Sequence, residues 1–135
     1  MAGVTDLEQL LATLEPQVRD GEYVYVAAPD SSSDSSAALG AEAVIHEAEG
    51  SAMVLRREVA DEAGLTYDVV LCWITLTVHS SLEAVGLTAA FSAALGDAGI
   101  SCNVLAGLHH DHVLVPVGRR DDAVAVLREL SGRHR

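Results

Sequence analysis

The segment NVLAGLHHDHVLVPV places a cluster of chemically capable side chains, His109, His110, Asp111 and His112, between two short aliphatic runs. Imidazole and carboxylate groups are suitable zinc ligands, and a histidine beside an acid can serve as a general base. The segment also has the composition of a β-hairpin, with a turn from about Gly107 to Asp111. The cluster is therefore a metal site, a catalytic group, or a hairpin turn whose side chains make hydrogen bonds.

A second group of polar side chains directly follows the apolar run DVVLCWITLTV. It contains His79, Ser80, Ser81 and Glu83, and the spacing of Ser80 and Glu83 is that of a helix capping box. A helix start after a strand presents free backbone N–H groups and the positive end of the helix dipole, which suits an anion. These residues are therefore candidates for binding the α-carboxylate of an amino acid.

Neither group carries a motif that makes metal binding or catalysis specific. The chain has no HExxH or CxxC pattern, and no Gly-x-Ser-x-Gly elbow surrounds Ser80 or Ser81. We expect no bound metal, no cofactor and local hydrogen bonds for the histidines. A metal-independent enzyme with a serine nucleophile, a histidine base and Asp111 as the orienting acid is an alternative.

The composition of the chain indicates which classes of binding partner are unfavourable. The 135 residues include twenty acids, eight arginines and no lysine, for a formal net charge of −12, which repels phosphate backbones and anionic lipids. No apolar stretch has the length of a membrane span, the N-terminus lacks the pattern of a secretion signal, and Cys72 and Cys102 lie in apolar runs typical of buried free thiols. We expect a cytoplasmic protein that binds neither nucleic acid nor membrane.

The first half of the chain predicts a helix, a strand and a hairpin. The helix carries a capping box from Thr5 to Glu8, and GEYVYVAAP alternates as a strand from about Tyr23 to Ala28. A serine-rich surface loop covers 31–36, and a turn at Glu49-Gly50 separates the two following strands.

The second half predicts a strand, a long helix, a hairpin and a closing helix. The long helix is expected from Ser80 to about Ala98, with Gly86 inside it, where glycine costs on the order of 1 kcal/mol relative to alanine. Gly86 therefore indicates a close approach, either by a neighbouring module or by a ligand. On the next strand, Asn103 is expected to project opposite the apolar side chains of Cys102 and Val104.

This β-α-β-β-α order lacks only the last strand of a β-α-β-β-α-β ferredoxin-type module. We expect an α+β protein of two such modules, 1–66 and 67–135, each an antiparallel sheet with helices on one face. The missing strand of the second module is expected to come from the N-terminal half, with Tyr23–Ala28 as the best candidate.

The segment WITLTVHSSLEAVGLTAAFSAALGDAGISCNVLAGLHHDHVLVPV resembles the C-terminal half of small bacterial proteins with two tandem ACT domains. The segments GEYVYV and HEAEGSAMVL resemble the N-terminal half of the same family. ACT domains bind amino acids, usually at an interface between two modules. The resemblance therefore implies a regulatory protein that senses an amino acid. The open sheet face, the missing strand and the helix rich in alanine and glycine lead us to expect a homodimer.

The expected ligand contacts combine the two polar groups with the residues between them: His79, Ser80, Ser81, Glu83, Gly86, Asn103, Val104, His110, Asp111 and His112. The carboxylate of the ligand is expected at Ser80-Ser81, and its ammonium group toward Asn103 and Asp111. A second possible location is the N-terminal module around Glu49-Gly50-Ser51. A ligand-free module for protein interaction is the other alternative function.

Overall fold

The structure, a computed structural model, describes residues 6–28, 39–78 and 84–135. Their elements follow in the order α1 (Leu7–Thr13), β1 (Pro16–Ala27), β2 (Ala43–Glu47), β3 (Gly50–Arg56), α2 (Arg57–Glu62), β4 (Leu71–Leu76), α3 (Leu87–Asp97), β5 (Asn103–Ala106), β6 (Asp111–Pro116), a 3-10 turn (Val117–Arg119) and α4 (Arg120–Gly132). The fold is of the α+β class, as the sequence predicts.

The chain divides into two compact units that do not follow the sequence halves. The terminal unit contains the residues up to Asp20 together with Cys72–Arg135, and the central unit contains Gly21–Leu71. Each unit is described by itself below. The predicted division into 1–66 and 67–135 stays a prediction.

Strand β1 begins earlier than the sequence analysis predicts, at Pro16 and not near Tyr23. Proline is tolerated at the first residue of a strand because its missing N–H is not needed there. The pair Asp20-Gly21 has the composition of a turn but lies inside β1. Gly21 has a φ of +96° there, a conformation that only glycine adopts easily. The segment that pairs within the terminal unit is therefore Pro16–Asp20, and Tyr23–Ala27 pairs with β3 in the central unit.

The central unit is a three-stranded antiparallel arrangement in the order β2-β3-β1. Its core contains five buried side chains, Val24, Val26, Met53, Leu55 and Ala60. The guanidinium group of Arg57 donates to the hydroxyl of Tyr67 at 3.0 Å and to the carboxylate of Glu22 at 2.9 Å. These bonds connect α2 to Glu22, at the start of the part of β1 that pairs with β3. The serine-rich stretch 31–36 lies outside the described residues.

The sheet of the terminal unit has the order β1-β4-β6-β5, and α1, α3 and α4 cover one face, called here the helix face. Alternate residues of β4 and β6 point to this face, which explains the apolar period of two in the sequence. Its core contains residues of all three helices and of both strands, notably Leu10, Leu14, Cys72, Ile74, Leu76, Phe91, Leu95, Val113, Val115 and Leu127.

Helix α3 begins seven residues after the predicted capping residue, at Leu87. Gly86 is therefore its N-cap and not an interior residue, and its φ is +99°. A Cβ atom on Gly86 would lie 2.9 Å from a methyl carbon of Leu7, so α1 occupies the space that a side chain would need. The capping box at Ser80 and Glu83 lies outside the described residues.

Helix α1 also has a different cap from the predicted one. The carboxylate of Asp6 accepts a hydrogen bond from the Glu8 N–H at 3.0 Å, in place of the expected Thr5 side chain. Thr5 lies outside the described residues. In the part of the chain that the structure describes, no helix has the length and apolar character needed to cross a membrane.

Candidate functional site

The HHDH segment forms the turn of a hairpin and the start of β6. The Gly107 N–H donates to the carbonyl oxygen of His110 at 2.9 Å, which closes the turn. Strand β5 pairs antiparallel with β6, with Ala106 opposite Asp111 and Leu105 opposite His112. A Cβ atom on Gly107 would lie 2.8 Å from that same carbonyl oxygen, so the turn has no room for a side chain at this position.

Asp111 and His112 point to opposite faces of the sheet because successive side chains of a strand alternate. Asp111 shares the helix face with Val113 and Val115, and it is half-buried at the end of that core. Burial raises the pKa of the Asp111 carboxyl above its usual 3.8, against the opposing effect of the nearby His112 charge. A desolvated carboxylate at the edge of a core is suited to pairing with a cationic group.

His112 lies on the face opposite the helices, called here the second face, among side chains of β4. The indole N–H of Trp73 donates to Nδ1 of His112 at 3.2 Å, and the hydroxyl of Thr75 lies 3.0 Å from the same nitrogen. The guanidinium carbon of Arg19, on β1, lies 4.1 Å from the centre of the Trp73 ring, a cation–π contact. Burial, and then the charges of Arg19 and His110, lower the pKa of His112 below 6.5.

Asn103 and Val104 do not lie beside this turn. Asn103 is exposed and pairs with Leu114, three residues along β6 from Asp111, which corresponds to about 10 Å of strand. Its side chain also points to the second face, because the next pair, Val104 and Val113, packs in the helix-face core. The structure therefore separates Asn103 from Asp111 along the strand and across the sheet.

Four predicted contact residues, His79, Ser80, Ser81 and Glu83, lie outside the described residues. Gly86 lies three residues after Glu83, and its carbonyl oxygen accepts the Ala90 N–H at 2.9 Å as the first bond of α3. Within residues 6–28, 39–78 and 84–135, no group of three or more His, Cys, Asp or Glu side chains is arranged to hold a metal ion. A role for His79 in such a group stays untested.

The central unit contains a cleft of about 520 Å³ at the position that the sequence analysis gives as the second possible ligand site. It is lined by the end of β1 and by the hairpin turn: Tyr25, Val26, Ala27, Ala28, Glu47, Glu49, Gly50, Ser51 and Ala52. Nδ1 of His46 and the hydroxyl of Ser51 are hydrogen-bonded at 2.6 Å beside it. The two glutamates give the cleft carboxylate groups that could accept from an ammonium group, and burial raises the pKa of the Tyr25 phenol.

The sequence analysis missed the residues that surround His112. Arg19 and Trp73 are far from it along the chain, so no local pattern joins them. A signal was nevertheless present, because Thr75 and Thr77 mark a polar face of the strand, and Trp73 belongs to the same face. A histidine on the neighbouring strand can reach that face by cross-strand pairing.

Two models of the ACT domain match the chain, one over residues 2–72 and one over residues 69–129. A search of curated proteins gives no significant match. Among solved structures, the chain is similar to a Vibrio cholerae protein of unknown function, described as a possible transport protein. The two are 41% identical over 93% of this chain and 95% of that one, with a TM-score of 0.85.

More distant structures share the fold. One is the ligand-free regulatory subunit of aspartate kinase from Thermus thermophilus, 11% identical over 85% of this chain and 95% of that one, with a TM-score of 0.60. Another is aspartokinase III of E. coli in complex with aspartate and ADP, 14% identical, of which this chain covers 32%, while 85% of this chain is matched at a TM-score of 0.60. The two family matches and the fold agree, and the chain belongs to the ACT-domain family.

Proposed function

We propose that this protein is a regulatory protein that binds a free amino acid through its ACT modules. The observation that carries the proposal is that ACT-domain models match both parts of the chain, over residues 2–72 and 69–129. The aspartate kinase relatives give a regulatory context for the same fold.

The proposed site lies between the N-terminus of α3 and the hairpin turn. The first backbone N–H groups of α3 lack partners inside the helix, so they are available to a carboxylate, together with the stretch of His79, Ser80, Ser81 and Glu83 before it. The raised pKa of Asp111 indicates a carboxylate that a ligand's ammonium group would stabilise. Leu87 and Val113, which adjoin these two features in sequence, belong to one core.

The proposal includes a cytoplasmic location and a homodimer. Cys72 and Cys102 are both free, and burial raises the pKa of each thiol, so neither is poised to form a disulfide. Free structural thiols are typical of reducing compartments. A homodimer is expected from the family's use of interfaces between modules.

The first test is a thermal-shift screen with each of the twenty standard amino acids. An amino acid present at about 100 times its Kd stabilises the folded state by ~2.7 kcal/mol, a change that shifts the melting temperature by several degrees. The proposal predicts such a shift for one amino acid or a chemically related few. If no amino acid changes the melting temperature and calorimetry detects no heat of binding, amino-acid binding is rejected.

A second experiment assigns the site by comparing three folded variants in calorimetry with the amino acid identified by the screen. Asp111→Asn is expected to weaken binding by roughly tenfold to a hundredfold, since a hydrogen bond to a charged group contributes about 1.5–3 kcal/mol. Asn103→Ala serves as the control on the opposite face and should leave affinity unchanged. Loss of binding in Glu49→Gln with full affinity in Asp111→Asn would move the site to the cleft of the central unit.

A further inference from the structure

His112 contacts both the side chains of β4 on the second face and the hairpin turn. One side of its ring contacts Trp73 and Thr75 through Nδ1, and its centre lies 5.3 Å from that of the Trp73 ring. The other side reaches the turn, where a Cβ atom on Gly107 would lie 3.1 Å from Nε2 of His112. The ring is half-buried between these two contacts, so its position and the position of the turn depend on each other.

The hydrogen bonds define which nitrogen of His112 carries the proton. An indole N–H only donates, so Nδ1 of His112 must accept from Trp73 with its lone pair. The uncharged ring therefore holds its proton on Nε2, toward the turn. A second proton can only be added at Nδ1, where it would meet the Trp73 N–H, and the Thr75 hydroxyl could then accept from it.

The charged groups around His112 oppose that second proton on balance. From β1, Arg19 lies against Trp73, and from the turn, His110 contributes a further positive charge on protonation. Asp111 favours the charged ring, but its carboxylate belongs to the other face. From β5, the residue opposite His112 is Leu105, which carries no charge. Protonation thus adds a cation beside Arg19 and removes the acceptor of the Trp73 N–H.

We propose that His112 is a positioning residue that holds the Gly107–His110 turn, and Asp111 after it, in place only while its ring is uncharged. A proton on Nδ1 displaces the ring from Trp73, and the movement is transmitted to the turn at Gly107. Amino-acid binding would then weaken under mildly acidic conditions. This last consequence rests on the proposed function, whereas the proton-dependent change of the turn does not.

The change of the turn can be measured without any ligand. Trp73 is the sole tryptophan of the chain, so its fluorescence follows the ionisation of the adjacent histidine directly. Amide hydrogen exchange at Gly107 reports whether its bond to His110 is closed. Across the fluorescence midpoint we expect Gly107 protection, corrected for intrinsic exchange, to fall by about twofold to tenfold, the factor that one hydrogen bond represents. Protection that stays constant across the midpoint overturns the proposal.

Two variants identify His112 as the group that titrates. His112→Asn retains an amide oxygen that can accept from Trp73 but has no proton to gain, so fluorescence and Gly107 protection should lose their common midpoint. Arg19→Gln removes the nearby cation and should move the midpoint upward toward 6.5. Arg128→Gln is the matched control, because Arg128 pairs with Glu15 elsewhere in the unit. Equal midpoints in Arg19→Gln and Arg128→Gln would contradict the assignment.

The coupling to binding has a separate readout. The amino-acid screen is repeated in thermal shift on the two sides of the fluorescence midpoint, with wild type and His112→Asn in parallel. Wild type should lose affinity by several-fold at the lower pH, and His112→Asn should not. Equal wild-type affinity on both sides overturns the coupling even if the turn titrates. Absence of binding at both pH values rejects the proposed function, and the turn is then judged by hydrogen exchange alone.

Discussion

At the scale of single residues, Asp111 combines a structural cost with a proposed binding role. The raised pKa means that the folded state holds the Asp111 proton more tightly than the unfolded chain does. The free energy of unfolding contributed by this group is therefore present below pH 3.8 and is lost as the pH rises through the raised pKa. In its ionised form, the Asp111 side chain therefore destabilises the fold.

Asp111→Asn should accordingly raise the melting temperature of the ligand-free protein at neutral pH while it weakens amino-acid binding. Such opposed effects are typical of residues kept for binding and not for stability. The exposed Asp68 provides the control, since Asp68→Asn should change neither quantity. A lower melting temperature for ligand-free Asp111→Asn, measured by calorimetry, would show that the carboxylate stabilises the fold and would remove this argument for its binding role.

His112 makes a second residue-scale prediction, on stability as a function of pH. Its folded pKa is lowered, mainly by burial and then by Arg19, so between that value and 6.5 the unfolded state binds more protons than the folded state. The stabilisation is present above pH 6.5 and is lost as the pH falls through the folded pKa. Denaturant unfolding in steps from about pH 7 to about pH 5 should show a decline that is smaller in His112→Asn. Parallel curves for the two proteins would contradict the role of His112.

At the scale of elements, two glycines of α3 should respond oppositely to the same substitution. Gly86→Ala places a side chain at a φ of +99° and against Leu7, and a left-handed conformation alone costs about 1–2 kcal/mol. Gly96 lies in the helix with open space around its Cα, so Gly96→Ala should stabilise the protein by about 0.4–1 kcal/mol. Chemical denaturation measures both, and equal signs would refute the assignment of Gly86 as the N-cap.

The same helix shows which parts of an element the sequence can predict. The sequence predicts a helix that ends near Ala98, and in the structure α3 ends at Asp97 with Phe91 and Leu95 buried. The predicted start was wrong because the sequence Ser80-Ser81-Leu82-Glu83 has the spacing of a capping box, whereas the contact that excludes a side chain at Gly86 comes from Leu7 on another helix. The predicted start of β1 was wrong for the same kind of reason. The pairing partners of this strand lie far along the chain, and Asp20-Gly21 has the composition of a turn.

At the scale of the whole molecule, recognition of the family depended on long stretches of sequence, while the candidate site depended on short ones. Half the chain or more matches an ACT model, and such a match survives errors in single element boundaries. The candidate site was predicted from local groups, and the structure places His112 and Asn103 on the second face but Asp111 on the helix face. Register and face are decided by pairing, which composition does not encode.

Two features of the whole molecule predict how it forms a dimer: its net charge and one exposed edge of the sheet. Strand β2 is an end strand of the sheet order, and its apolar side chains Val44 and Ile45 are 37% and 41% exposed, so edge pairing with a second copy is favourable. Because each copy carries a net charge of −12, the proposed dimer should tighten as salt screens the repulsion.

Light scattering should show a dimer that Ile45→Glu disrupts. Val69→Glu, at a similarly exposed apolar residue outside the strands, should remain dimeric. Equal dimerisation of both variants would place the interface elsewhere, and a monomer in wild type at high micromolar concentration and high salt would exclude it.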